Sequence, residues 1–282
     1  MGKPAIEVAR MAGTCFGVQR ALDTAINAAD TEPAPVQTLG PLIHNPRVVA
    51  DLAKLHVSMA ETLDEVPGGT VIIRAHGVVP QIIRDAESHG LHVVDATCPF
   101  VKKVHRAASH LVDEGFQVLV VGESGHPEVE GIMGHAGDNA CVVAGAEDLE
   151  SIPLAKKVGV VVQTTQTVSK LQEVVGALVP RVSELRVVNT ICSATQERQS
   201  CAAELAQRAD AMVVIGGKNS GNTRRLAQIC LDACSNTHHI ESAAEVEPSW
   251  FDGCALVGVT AGASTPASHI QETVDAIEEV LV

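Results

Sequence analysis

Short Val- and Ile-rich runs recur along the chain: Val71-Ile73, Val93-Val94, Val118-Val121, Val158-Val162, Arg186-Val188, Met212-Ile215 and Leu256-Val259. Each gives way to a polar or Gly-containing stretch and then to apolar positions at helical spacing. Continuous apolar runs, as opposed to alternating ones, mark strands buried on both faces, and the succession strand, loop, helix is the pattern of βα units in a parallel sheet. The spacing predicts helices over 16–29, 46–56, 80–89, 99–114, 169–178, 197–208, 223–233 and 266–281. In the first of these, Leu22, Ala25, Ile26 and Ala29 share one face. Pro46, Pro80, Pro99, Pro127 and Pro266 stand at or near a first helical turn, where the missing amide donor costs nothing. The expected fold class is α/β.

A repeat is superimposed on this pattern. The segments EVARMAGTCFGVQRAL, HVVDATCPFVKKVHRA and RVVNTICSATQERQSC share strand, polar turn, cysteine and helix, and their cysteines, Cys15, Cys98 and Cys192, are 83 and 94 residues apart. This spacing is close to a third of the chain. It predicts three similar βα modules over residues 15–97, 98–188 and 1–14 together with 189–282, each presenting one thiol from the C-terminal end of a strand. No low-complexity linker separates them, so they are expected to pack around a common centre.

Composition narrows the function. With 282 residues, 46% of them apolar, the chain is long enough to bury a sizeable core. Four Phe, one Trp, no Tyr and a net charge of −14 supply neither the aromatic platform nor the basic groove of a single-strand nucleic-acid binder. No apolar stretch approaches the roughly 20 residues that span a bilayer, and the N-terminus lacks the apolar core of a signal peptide. The expectation is a cytoplasmic protein with no nucleic-acid or membrane partner. In a reducing compartment its 8 Cys are buried, metal-bound or catalytic before they are disulfide-linked.

Five of them, Cys141, Cys201, Cys230, Cys234 and Cys254, lie in apolar strand or helix patterns and read as packing residues. Cys15, Cys98 and Cys192 read differently, because three thiolates at equivalent strand ends suit a metal centre with one coordination position left open. Zinc and a cubane iron-sulfur cluster both meet that description.

Other strand ends carry polar groups: His44 before Asn45-Pro46, His76 in RAHGVVP, and His126 with Glu128 in SGHPEVEG. Thr164 and Thr165 lie in VVQTTQT, Ser220 and Asn222 in GGKNSGNTRR, and Ser264 in TAGASTP. Singly, such Ser, Thr and Asn residues are helix N-caps. Together, at helix N-termini with free amides, they describe a site for a small anion such as a phosphate or diphosphate. Glu128 is the acid in this company. Sealed from water, its carboxyl group would have a raised pKa and serve as a proton donor, whereas Glu130 reads as solvated or capping.

The segments CFGVQRAL, HNPRVV, AHGV, DATCPFVKKVH, GHPEVEG, QTTQTV, IC-AT-ERQ, GGKNSGNT and GVTAGAS-P, in this order, closely resemble the 4-hydroxy-3-methylbut-2-enyl diphosphate reductases, the IspH/LytB family. These are the last enzymes of the methylerythritol phosphate route to isoprenoids. The resemblance runs from about Val8 to the final helix. It implies modules in a pseudo-threefold arrangement around one [4Fe-4S] cluster held by Cys15, Cys98 and Cys192, with the fourth iron open to the substrate's allylic hydroxyl. It further implies a diphosphate held by His44, His76, His126, Ser220, Gly221, Asn222 and Ser264, proton delivery by Glu128 with Thr164, and a ferredoxin or flavodoxin as electron donor. Lys102, Lys103 and Arg106 are candidate docking cations for such a donor on an otherwise acidic chain.

Three departures stand out. Gly221 occupies a place where the family usually carries a second Ser, so the backbone amide there must serve alone. Thr14 replaces an aromatic residue, and the chain ends at Val282 without the C-terminal extension of many members, which alters how one edge is expected to be covered. Two other readings have the same three-cysteine logic: another cluster enzyme of three modules, of the quinolinate synthase kind, and a non-catalytic cluster sensor.

Overall fold

The computed structural model describes residues 3–281; Met1, Gly2 and Val282, on which the expectations about the chain's two ends partly rest, lie outside the described residues. The strands are β1 (Ala5–Val8), β2 (Val36–Leu39), β3 (Val57–Ala60), β4 (Thr70–Ile73), β5 (His92–Asp95), β6 (Gln117–Val121), β7 (Ala140–Val143), β8 (Lys157–Val162), β9 (Glu184–Val187), β10 (Ala211–Ile215), β11 (Thr237–Ile240) and β12 (Leu256–Ala261). The α-helices are α1 (Phe16–Thr31), α2 (Pro46–Lys54), α3 (Pro80–Ser88), α4 (Pro99–Asp113), α5 (Pro127–Ala136), α6 (Val168–Leu178), α7 (Ser193–Ala206), α8 (Gly221–Ala233) and α9 (Ala267–Val280). Four of the five marker prolines open a helix, and Pro266 directly precedes one. The helix expected from residue 197 begins one turn earlier, at Ser193.

The strands form three four-stranded, all-parallel sheets with one shared topology: β1-β12-β10-β11, β5-β4-β2-β3 and β9-β8-β6-β7. In every sheet a cysteine follows the first strand of that order: Cys15 after β1, Cys98 after β5 and Cys192 after β9. The fold class is the α/β one expected, with three parallel-sheet βα modules.

The third sheet shows why its strands read as unbroken apolar runs. Successive side chains point to opposite faces, so Leu119, Val121, Val158, Val160 and Val162 pack on α6 through Leu171, Val174 and Leu178. Val118, Val120 and Val161 pack on α4 and α5 through Val104, Ala108, Leu111, Val129 and Ile132. Both faces are dry, and each fully buried Val or Leu contributes roughly 1.5–3 kcal/mol.

The outer strands β3, β7 and β11 run into short 3₁₀ turns over Leu63–Glu65, Ala146–Glu150 and Ala243–Glu245. In each, an acid reaches back to the amide four residues earlier: Glu61 N donates to Glu65 at 2.8 Å, Ala144 N to Asp148 at 2.6 Å and Glu241 N to Glu245 at 2.7 Å. The repeat thus extends beyond the cysteines to a capping device.

The chain divides into two compact units, Met1–Val18 with His44–Arg47 and Ser193–Val282, and Gln19–Ile43 with Val48–Cys192. The first contains the β1-β12-β10-β11 sheet and the second the other two sheets. None of the eight cysteines, all of which are among the described residues, is in a disulfide. Cys230 and Cys234 belong to a core with Leu205, Met212 and Leu226, while Cys141, Cys201 and Cys254 pack against core clusters from partly buried positions. Among the described residues no helix is long and apolar enough to cross a membrane.

Candidate active site

The three cysteines of the repeat are built alike. Each is the residue immediately before a helix, α1, α4 or α7, and each is half-buried. Each donates its backbone N–H to a carbonyl in the loop that follows the second strand of its sheet. Cys15 N reaches Ala263 O at 3.1 Å, Cys98 N reaches Ala75 O at 3.0 Å and Cys192 N reaches Thr164 O at 3.0 Å. Val18 N also points at Cys15 Sγ, 3.5 Å away. At Cys15 the sulfur thus meets an open amide of the α1 N-terminus. The donor set fits a thiolate-ligated cluster: three reduced sulfurs, none in a disulfide, at matching ends of matching sheets. Among the described residues no three His, Cys, Asp or Glu side chains are already gathered as a metal site.

In the first unit the polar loops converge on His44. Asn45 Nδ2 donates to Ser264 O at 2.7 Å, and Ser264 Oγ donates to His44 O at 3.3 Å. Ser220 is the N-cap of α8, its Oγ accepting from Thr223 N at 3.3 Å. Gly221 and Asn222 follow in the first helical turn and are buried. Asn222 is 6% exposed, and its amide oxygen and nitrogen both lack a hydrogen-bond partner. Leaving such a group unpaired costs about 1–3 kcal/mol. A ligand with acceptor oxygens at the α8 N-terminus would satisfy the Nδ2 donor.

The second unit holds His76, His126, Glu128 and Thr164. The rings of His76 and His126 meet edge to face with centroids 5.8 Å apart. His126 is the N-cap of α5, its Nδ1 accepting from Glu128 N at 3.1 Å, so the neutral ring carries its proton on Nε2. Glu128 is 2% exposed. Thr164 clamps its carboxyl group through two bonds, N to Oε1 at 2.6 Å and Oγ1 to Oε2 at 2.8 Å. Burial outweighs these bonds and pushes the Glu128 pKa up to about 7. Glu130 is exposed on the same helix. Thr164 thus links two functions, donating to Glu128 and accepting from Cys192 through its carbonyl.

The LytB protein family model matches residues 6–278 of the chain. The chain belongs to the LytB family. It is 48% identical over 273 residues to 4-hydroxy-3-methylbut-2-enyl diphosphate reductase of Pelobacter propionicus, covering 97% of each chain. It is 46% identical over 275 residues to the reductase of the same name from Geobacter metallireducens, covering 98% of this chain and 97% of that one. Among solved structures it resembles (E)-4-hydroxy-3-methyl-but-2-enyl diphosphate reductase, the terminal enzyme of the non-mevalonate pathway, at 45% identity and a TM-score of 0.73, over 97% of this chain and 99% of that one. The Plasmodium falciparum E-1-hydroxy-2-methyl-but-2-enyl-4-diphosphate reductase matches at 25% identity with a TM-score of 0.92, over 97% of this chain and 88% of that one.

For a LytB-family chain, the departures at Thr14 and Gly221 have local structural consequences. Thr14 Oγ1 donates to Thr265 O at 3.1 Å, tying the Cys15 loop to the Ser264 loop. Gly221 is the first residue of α8 and offers a buried backbone amide in place of a hydroxyl.

Two supporting residues escape a reading of the sequence. Asn45 anchors Ser264 as described, and its Oδ1 also accepts from Arg47 N at 3.1 Å, an Asx turn whose signal is the Asn-Pro dipeptide. Arg198 is 3% exposed and donates to Gly13 O at 2.7 Å, holding the loop that leads to Cys15. An Arg on a helix carries no signal of its own that it is buried.

Proposed function

We propose that this chain reductively dehydroxylates (E)-4-hydroxy-3-methylbut-2-enyl diphosphate to isopentenyl and dimethylallyl diphosphate, the last step of the methylerythritol phosphate route, in the cytoplasm. The substrate takes up two electrons and two protons; the allylic carbon-oxygen bond breaks, a carbon-hydrogen bond forms, and the oxygen leaves as water. Electrons come from a reduced ferredoxin or flavodoxin. Cys15, Cys98 and Cys192 would hold a [4Fe-4S] cluster, which would supply single electrons and Lewis acidity. Iron-sulfur fits better than zinc because the family's reaction is a reduction and zinc carries no electrons.

The chain's own groups do the rest. Ser220, Asn222, Ser264, the Gly221 amide, His44, His76 and His126 replace the water around the diphosphate, acting as preorganised donors. The edge-to-face histidine pair presents the Nε2–H of His126 as one such donor. Glu128 holds the proton that the departing hydroxyl requires, and the two Thr164 bonds fix the orientation of its carboxyl group. A carboxyl group of pKa about 7 is half-protonated near neutrality, the condition for an efficient general acid.

The observation that carries this reading is the buried Glu128–Thr164 pair, set between the His126 cap and the Cys192 loop in a chain with full-length reductase relatives. Anaerobically prepared protein with a reduced mediator is expected to convert the hydroxylated diphosphate to both isomers. The wild type is expected to be brown, with about four irons per chain, and Cys98→Ser to lose that colour. Colourless, zinc-loaded wild-type protein, or no turnover with intact cluster, overturns the proposal.

A further inference from the structure

A second histidine pair lies in the unit that carries Glu128, behind the loop that bears His76. His105 sits on α4 two turns after Cys98 and is 6% exposed. Its ring stacks on that of His135 with centroids 4.0 Å apart and planes inclined by 16°. His135 is held in turn by α5, its Nδ1 donating to Gly131 O at 2.8 Å. His105 Nε2 is buried without a hydrogen-bond partner. Burial, with His135 next in weight, pushes its pKa down to about 4, so the ring is neutral near pH 7.

Glycines mark what this ring touches. A methyl group on Gly77, the neighbour of His76, would stand 2.7 Å from His105 Cε1 and 3.4 Å from Nε2. One on Gly131 of α5 would stand 3.1 Å from Nε2 and 3.7 Å from the backbone N of Val78. One turn further along α5, a methyl on Gly134 would meet Val79 Cγ1 at 2.4 Å. The His76 loop therefore lies against a glycine-smooth face of α5, and the imidazole fills the space between them. A ring that makes no hydrogen bond through Nε2 is held there by shape, and interiors packed this closely transmit a change of one methyl group.

We propose that His105 is a positioning residue, the spacer that sets the His76 loop against the helix bearing His126 and Glu128. The proposal rests on the reductase reading, since that reading gives the spacing of those three side chains its consequence. His105 touches neither substrate nor cluster; it acts through Gly77 and Gly131.

The test is a double-mutant cycle on one gap. Gly131→Ala adds a methyl group to the gap while improving the helix, and His105→Ala empties it. Each variant is expected to raise KM for the hydroxylated diphosphate about tenfold, with less change in kcat, full cluster absorbance and an unfolding midpoint for Gly131→Ala within a few degrees of wild type. The double variant, in which the new methyl group occupies vacated space, is expected to recover to within about threefold of wild type. Additive losses, or a Gly131→Ala variant with wild-type KM, overturn the spacer. Should His105→Ala fail to fold, a crystal structure of Gly131→Ala decides: an unchanged 5.8 Å separation of the His76 and His126 rings rejects the proposal. A wild type that fails to turn over refutes the reductase reading instead, while the ring separation still reports on the spacer.

Discussion

The two units carry chemically unlike groups at equivalent places in their sheets. Around the β1-β12-β10-β11 sheet, the loops after β10 and β12 present Ser220, Gly221, Asn222 and Ser264, groups that hold the same charge at every physiological pH, with His44 beside them as a titratable neighbour. Around the β9-β8-β6-β7 sheet, the corresponding loops after β6 and β8 present His126, Glu128 and Thr164, with a carboxyl group whose pKa burial has raised to about 7. One topology has thus been fitted once with fixed donors and once with a proton reservoir. The difference sets donors of fixed charge apart from the carboxyl group that moves a proton. Substitutions among these fixed donors should accordingly raise KM, whereas substitution of Glu128 should lower kcat.

The largest effect is expected at Glu128. Glu128→Gln keeps the shape and the Thr164 contacts but carries no acidic proton, so turnover should fall by roughly 10²–10⁴ with cluster absorbance intact and KM changed by less than a few-fold. Steady-state kinetics beside an absorbance spectrum measure this, and full activity in the variant removes Glu128 from the proton-delivery role. The pH dependence follows from the same group. Its proton is lost as pH rises through about 7, so wild-type turnover should decline above that value, provided proton delivery limits the rate.

Stability carries a matching signature. The folded-state pKa is raised from 4.5 to about 7, so between those values the native protein binds a proton that the unfolded chain does not. Stability therefore falls as pH rises through this window, by about 3 kcal/mol, and Glu128 adds no further slope above it. The amide introduced by Glu128→Gln does not titrate, so the unfolding midpoint of that variant should gain on that of wild type between about pH 5 and pH 7. Midpoints that shift in parallel would contradict the raised pKa.

The contrast between units is only partly legible in the sequence, and the reasons are physical. Strands β6, β8, β10 and β12 stand out because both of their faces are dry, which leaves consecutive apolar residues over most of their length. Strands β2, β3, β7 and β11 do not. VQTL, VSMA, ACVV and THHI are four residues each, and the last three form the outer edges of their sheets, where polar and half-exposed positions break the pattern. The cysteines and strand-end polar groups are readable because a strand, a turn and a helix-opening residue are consecutive in the chain. Asn45, Arg198 and His105 are not readable as supports, since each works on a loop distant in sequence: Ser264, Gly13 and Gly77. Adjacency along the chain is visible in sequence, and adjacency across a fold is not.

A smaller effect with a more diagnostic sign is expected at Asn222. Both polar atoms of its amide are buried and unpaired, so Asn222→Ala removes a desolvation cost of about 1–3 kcal/mol along with a ligand contact. KM for the diphosphate should rise about tenfold while the unfolding midpoint of the ligand-free protein stays level or increases. An amide kept at some cost to stability is the mark of a group retained for its ligand. A drop in stability with unchanged KM would reassign Asn222 to the structure of α8 and weaken the view that the first unit is built for binding.

The smallest effect tests the one donor this chain lacks. Gly221 opens α8 directly after its Ser220 cap, and it is not among the glycines with positive φ, so its backbone accepts a side chain without strain. Gly221→Ser would supply the hydroxyl group that the family usually carries there. If the buried Gly221 amide and the Ser220 and Asn222 side chains already satisfy the diphosphate oxygens, the added hydroxyl shares an acceptor that is already bonded and contributes about 1 kcal/mol, less than the roughly 1.5–3 kcal/mol of a sole bond to a charged group. KM should then fall by no more than about fivefold, with kcat and its pH profile unchanged because Glu128 is untouched. A change in the pH profile would break the separation, since a hydroxyl group in the first unit would then be acting on the proton held in the second.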